Sequence, residues 1–163
     1  MRISTPPPAG YSGTPLHRKL GVKPGHEVLV WGAPPGWDVT VLDPDGTARL
    51  VAVGGDPVTG GPDAGWPFEE AGPFDVAGPF DVALVFCPDG ATMAARLPAA
   101  MARTTTAGRC WVAWPKRASG VATDLTEDPV REAALAVGWV DVKVCAVDAV
   151  WSGLCLVRRK ENR

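Results

Sequence analysis

The sequence predicts a single three-layer α/β domain with a mostly parallel sheet and an antiparallel C-terminal strand. Three observations carry this. Short apolar runs bounded by turns recur at 27–32, 80–87, 109–114 and 139–147, the pattern of buried strands. Helical stretches with their own start and stop signals separate the later runs, and helix crossovers imply parallel pairing. The final run, 153–159, follows a short turn, so it returns antiparallel at or beside an edge.

In chain order, residues 1–10 (MRISTPPPAG) form a proline-rich arm. Residues 15–20 predict a short helix, with Thr14 as N-cap, Pro15 in the first helical position and Gly21 as the stop. Glu27–Gly32 is the first strand and empties into GAPPGW at 32–37. A glycine turn there can bring backbone N–H groups to a ligand, but Pro34 and Pro35 remove two donors. The alternation in DVTVLDPDGTARLVAV, around Asp-Pro-Asp-Gly, predicts strands at 39–42 and 48–53 as a hairpin. Residues 54–79 are rich in glycine and proline. They hold most of a tandem AGPFDV copy, at 71–76 and 77–82, which reads as a local duplication lengthening a loop.

FDVALVFC at 80–87 is a buried strand ending in the turn Cys87-Pro88-Asp89-Gly90. Met93, Leu97 and Met101 recur at helical spacing and read as core. Pro98 should kink or divide that helix, and Gly108 should end it. After the strand 109–114 comes a polar loop, Trp114 to Thr126. Thr126-Glu127-Asp128-Pro129 then starts a helix that Gly138 ends. In 139–147, Val140, Val142, Val144 and Ala146 share one face, with Asp141, Lys143 and Cys145 on the other. Asp148 to Gly153 is the connecting turn, and 160–163 is a tail. The domain thus runs from 11 to 159.

Bulk properties exclude several classes. With 163 residues, one domain can bury a core without disulfides or metals. A net charge of −2, with no basic and aromatic interleaving, gives no pull toward nucleic acid or membrane. No run approaches membrane-spanning length, and the N-terminus lacks a signal-peptide core. The four cysteines lie in apolar runs without C-x-x-C spacing. They read as buried thiols in a reducing cytoplasm, and two histidines do not make a metal site. No Walker loop or G-x-S-x-G turn is present. Seven tryptophans leave room for a homodimer interface, although cores use tryptophan too.

YSGTPLHRKLGVKPG, WVAWPKRASGVATDLTEDPVREAAL and GWVDVKVCAVDAVWSGLCLVRRKENR resemble the bacterial family known as domain of unknown function 3052. More distantly, KLGVKPGHEVLVWGAP and FDVALVF resemble the Rossmann-like fold of S-adenosylmethionine-dependent methyltransferases, here in reduced form. That resemblance implies S-adenosylmethionine as cofactor. Two departures bear on it. Gly32-Ala33-Pro34-Pro35-Gly36 replaces the glycine-rich turn, and no acidic residue closes a second strand, Asp43 being the nearest. Read as losses of cofactor grip, these departures lead to the expectation of a non-catalytic binding or regulatory protein. The alternative is a small-molecule methyltransferase with an atypical cofactor site.

In such a sheet ligands bind beyond the carboxyl ends of the strands, where GAPPGW, CPDG and WPKRASG should meet. The candidate ligand-binding residues are therefore Tyr11, Trp31, Gly32, Trp37, Trp114, Lys116, Ser119 and Asp124. Lys116 suits a phosphate or carboxylate, or an ion pair with Asp124. Capping alone would explain Asp124 and Thr126, and packing alone would explain Tyr11, Ser12 and Thr14. A second tier comprises Lys143, Asp148, Trp151 and Ser152. Their plain readings are a solvated side chain, a turn bonding its own backbone, and core cover. The unassigned partner is a small molecule or a protein.

Overall fold

The computed structural model describes residues 14–53 and 79–162. The proline-rich arm, Tyr11, Ser12 and the loop at 54–78 lie outside the described residues. The elements are α1 (Leu16–Leu20), β1 (Glu27–Trp31), a 3-10 turn (Val39–Leu42), β2 (Arg49–Val53) and β3 (Phe80–Phe86). They continue with α2 (Gly90–Ala102), β4 (Thr104–Pro115), α3 (Glu127–Leu135), β5 (Trp139–Ala146) and β6 (Trp151–Arg158). One six-stranded sheet has the order β2-β1-β3-β4-β6-β5. β2, β1, β3 and β4 pair in parallel, and β6 runs antiparallel to both β4 and β5.

Strand alternation divides the core in two. Val82, Leu84 and Phe86 of β3 face Leu16, Leu20 and Leu42, so α1 and the 3-10 turn form one outer layer. Ala83 and Val85 face Met93, Leu97, Val130 and Ala134, so α2 and α3 form the other. This is the three-layer α/β architecture expected from the sequence. Among the described residues, no helix is long and apolar enough to cross a membrane. Burial pushes the thiols of Cys87 and Cys155 up to about 12 and also raises Cys110, so these cysteines pack as small apolar groups.

Several sequence expectations change. The 39–53 stretch is not a hairpin. The Asp38 carboxylate accepts from the Thr40 N–H and closes a 3-10 turn over Val39–Leu42. Leu42 is buried under it. β2 then pairs parallel to β1 as an edge strand. The run Val39-Thr40-Val41-Leu42 fits both conformations, and the Asp38 cap decides between them. Pro15, rather than Thr14, occupies the cap position of α1, and Gly21 ends that helix at φ 84°. α2 runs through Pro98 undivided and ends at Ala102. β4 therefore begins at Thr104, and Gly108 lies inside it rather than ending the helix. A Cβ at Gly108 would come within 2.8 Å of the Asp81 carbonyl oxygen, at the irregularity where β4 shifts register against β3.

In β5 the apolar face is not a core stripe. A register shift between Asp141 and Lys143 leaves Val142 and Val144 exposed. Trp151 and Ser152 belong to β6 rather than to a turn. Arg131 of α3 gathers Glu127, Asp128 and Asp141, tying the helix start to β5.

Trp111 locks α1 onto the sheet. It is fully buried, and its indole N–H donates to the Leu20 carbonyl at 3.1 Å. Replacing it with phenylalanine keeps the aromatic bulk and orphans that carbonyl. Trp111→Phe should therefore cost about 1–3 kcal/mol in urea unfolding, with an unchanged m-value.

Candidate functional site

The parallel strands β1, β2, β3 and β4 all end on one side of the sheet. β6, being antiparallel, begins there. The rim is therefore built by the turns after Trp31, Phe86 and Pro115, with the β5–β6 turn closing it.

The first two turns are clamped together by Arg96. This side chain is 6% exposed and reaches from α2 across the strand ends. Its Nη1 donates to the Phe86 carbonyl at 2.7 Å, and its guanidinium lies 5.9 Å from the Trp31 ring centroid. Directly above it Gly32 sits at φ 78°, where any Cβ would collide with Arg96 Nη1. Glycine is required there twice over, by backbone conformation and by space. The Gly32 N–H donates to the Val53 carbonyl at 2.8 Å and draws in the end of β2.

An aromatic row runs along the α1 side of the rim. Phe86 lies edge-on between Trp37, at 5.1 Å, and Trp151, at 5.0 Å. The Trp37 indole N–H donates to Asp148 Oδ2 at 3.1 Å, while Asp148 Oδ1 accepts from the backbones of Val150 and Trp151. So the turn after β1 is fastened to the turn before β6.

Carboxylates and cations share the rim, Lys116 and Arg117 standing in the turn after Pro115. Asp89 caps α2 by accepting from the Thr92 N–H, and Asp124 Oδ1 accepts from the Gly90 N–H at 2.8 Å. Hydrogen bonds from Thr92 and Thr40 hold the Asp89 and Asp38 carboxyls below the usual carboxylate range. The start of α2 is thus already served by two acids, which leaves it unsuited to a phosphate. Asp43, the nearest acid to the second strand, is committed to its own turn. Its two oxygens accept from Thr47 and Ala48 N–H groups.

The structure scatters the residues singled out from sequence. Trp31 and Trp114 are buried in the α2/α3 core. Gly32 and Trp37 are in the rim. The Lys116 N–H donates to the Val150 carbonyl at 2.7 Å, which fixes its loop against the β5–β6 turn. Ser119 donates to the Lys116 carbonyl and accepts from the Val121 N–H, a local turn. Asp124 serves α2, as above. Lys143 is mid-strand in β5 with Nζ 5.8 Å from the Trp111 ring centroid, well below the rim. Ser152 pairs in the ladder with Trp114 and Ala146. Sequence reasoning missed Arg96, Phe86, Asp38 and Asp89. Arg96 had a signal: a cation between Met93 and Leu97, on a stripe otherwise read as core.

A cleft of about 580 Å³ opens on the α1 side of this rim, between α1, the 3-10 turn and the β5–β6 turn. A second groove, of about 340 Å³, runs between α2 and α3. Among the described residues, the only charged side chain lining that groove is Arg158, which donates to the Met101, Thr104 and Thr105 carbonyls.

Solved structures share this architecture. The ribosomal protein L11 methylase of Lactobacillus delbrueckii subsp. bulgaricus superposes with TM-score 0.57 at 17% identity, over 88% of this chain and 75% of that one. YjhP of E. coli gives 0.58 at 16% identity, over 88% and 90%. The glycopeptide N-methyltransferase MtfA, in complex with sinefungin, gives 0.52 at 11% identity, over 98% and 99%. No family model and no curated protein matches the chain. The fold is therefore the Rossmann-like fold of methyltransferases. These neighbours correct the expectation of a non-catalytic binding or regulatory protein. That expectation took departures from a motif as degeneration, yet structures named as methyltransferases share this arrangement along nearly the whole chain.

The clamp makes a quantitative prediction. Gly32→Ala should cost about 2 kcal/mol or more, from the left-handed backbone and the collision together. In an Arg96→Ala background only the backbone part, about 1–2 kcal/mol, should remain. Chemical unfolding of the two single variants and the double variant measures that coupling; strict additivity would show that the two residues do not touch.

Proposed function

We propose that this protein is a small-molecule S-adenosylmethionine-dependent methyltransferase with an atypical cofactor site. The observation that carries the reading is the clamped pair of strand exits, β1 into Gly32 and β3 into Cys87, within a sheet that finishes in the antiparallel β6–β5 pair. Ligands of parallel sheets bind at such exits. Methyltransferase neighbours on the same fold support it, one of them holding sinefungin, a close analogue of S-adenosylmethionine. The resemblance of the C-terminal third to domain of unknown function 3052 belongs to this reading and adds no activity of its own.

The residues present fit such a cofactor in charge. A sulfonium is a cation, and Asp38, Asp89, Asp124 and Asp148 surround the rim. The start of α2, where a phosphate could otherwise bind, is occupied by two of these acids. The turn 32–37 and the turn 87–90 would hold the cofactor, with Gly32 allowing close approach of its backbone. S-adenosylmethionine supplies an electrophilic methyl group on sulfur. The chain's own part is to hold two reactants in line and keep water out, and Trp37 and Trp151, packed on the buried Phe86, stand on one side for that.

Calorimetric titration tests the reading. S-adenosylmethionine and S-adenosylhomocysteine should bind with micromolar constants, and ATP and NAD should give no heat. Binding of the phosphorylated ligands alone would contradict it.

A further inference from the structure

We propose that the cleft between α1, the 3-10 turn and the β5–β6 turn binds an organic amine in its ammonium form, and that this amine is the methyl acceptor. The acceptor role rests on the methyltransferase reading; the ammonium site does not.

At about 580 Å³ the cleft lies in the range of small-molecule sites, roughly 300–1,000 Å³. Its walls are apolar, with Leu16, Val41 and Val147 among them, and Trp37 forms one side. Its charged groups are the carboxylates of Asp38 and Asp148. Among the described residues, no lysine or arginine lines it. An anion entering would meet two like charges and no cation. A neutral ligand would gain hydrogen bonds at most, without the attraction between opposite charges.

Both acids are held in place. Asp148 is gripped by Trp37 and by its own turn, and Asp38 by Thr40. Neither needs to reorganise to meet a cation, and the Trp37 ring adds a face that attracts one. The His17 side chain also lines the cleft, with its Nδ1 buried and without a hydrogen-bond partner among the described residues.

The transfer balances. The ammonium first gives one proton to solvent water. The freed lone pair forms the N–C bond to the methyl carbon while the C–S bond of the sulfonium donor breaks, its electron pair staying on sulfur. The methylated product keeps one positive charge.

Calorimetry with phenethylamine, phenethyl alcohol and hydrocinnamate at neutral pH, without cofactor, tests the site. The amine should bind at least about ten-fold more tightly than the alcohol, and the acid should give no heat. Asp148→Asn and Asp38→Asn should each weaken the amine about three- to ten-fold and leave the alcohol unchanged. Asp38 is exposed and an asparagine can still cap Thr40, so that variant reports on the site even if Asp148→Asn fails to fold. No heat with the amine, equal binding of amine and alcohol, or full preference retained in Asp38→Asn would overturn the proposal. S-adenosylmethionine titrated separately keeps the two readings apart. Amine preference without cofactor binding upholds this site and removes the preceding reading; cofactor binding without amine preference does the reverse.

Discussion

The guanidinium of Arg96 is the group on which the rim depends. A buried cation is costly unless its hydrogens are taken up, and here one goes to the Phe86 carbonyl at the end of β3. That bond places α2, fixes where β3 stops, and sets a floor under Gly32. Since the floor leaves no room for a Cβ, the turn after β1 must begin with glycine and must bend in the left-handed sense. The route of the chain into Trp37 follows from this. So does the row Trp37, Phe86, Trp151, which joins the parallel half of the sheet to its antiparallel finish.

The electrostatics of the rim follow the same logic. A helix start exposes N–H groups and attracts anions. In α2 those groups are met from within by Asp89 and Asp124, so the anion preference is spent internally and the carboxylates face outward in its place. A nucleotide-type fold thereby acquires a rim with acidic character. The departures from the glycine-rich turn, which from sequence read as decay, leave the left-handed glycine at the exit of β1 in place.

Much of the architecture was legible in the sequence. The buried runs of β1 and β3 are short, apolar and bounded by Gly or Pro, and Glu127-Asp128-Pro129 marks the start of α3. The errors have physical causes. Val39–Leu42 alternates like a strand, but Asp38 captures its backbone first. Gly108 looks like a helix stop, but helix α2 had already ended and the glycine serves a strand irregularity. The site was harder to read. Trp31, Phe86 and Trp114 all lie at the ends of apolar strands and are buried, Trp31 and Trp114 on the α2/α3 side and Phe86 on the α1 side against Trp37 and Trp151. Periodicity gives a residue's face, not which face is covered by a helix at that level. Asp148 reaches Trp37 across 111 residues, a contact of which local pattern carries no trace, whereas Asp89 caps α2 locally and Arg96 is a cation on an apolar stripe.

Amide hydrogen exchange with and without S-adenosylhomocysteine tests the central claim most directly, because it reports where a ligand sits without requiring turnover. The account predicts added protection in the turns 32–37 and 87–90, with little change along the α2–α3 groove. Protection confined to that groove, with both turns exchanging as before, would contradict it.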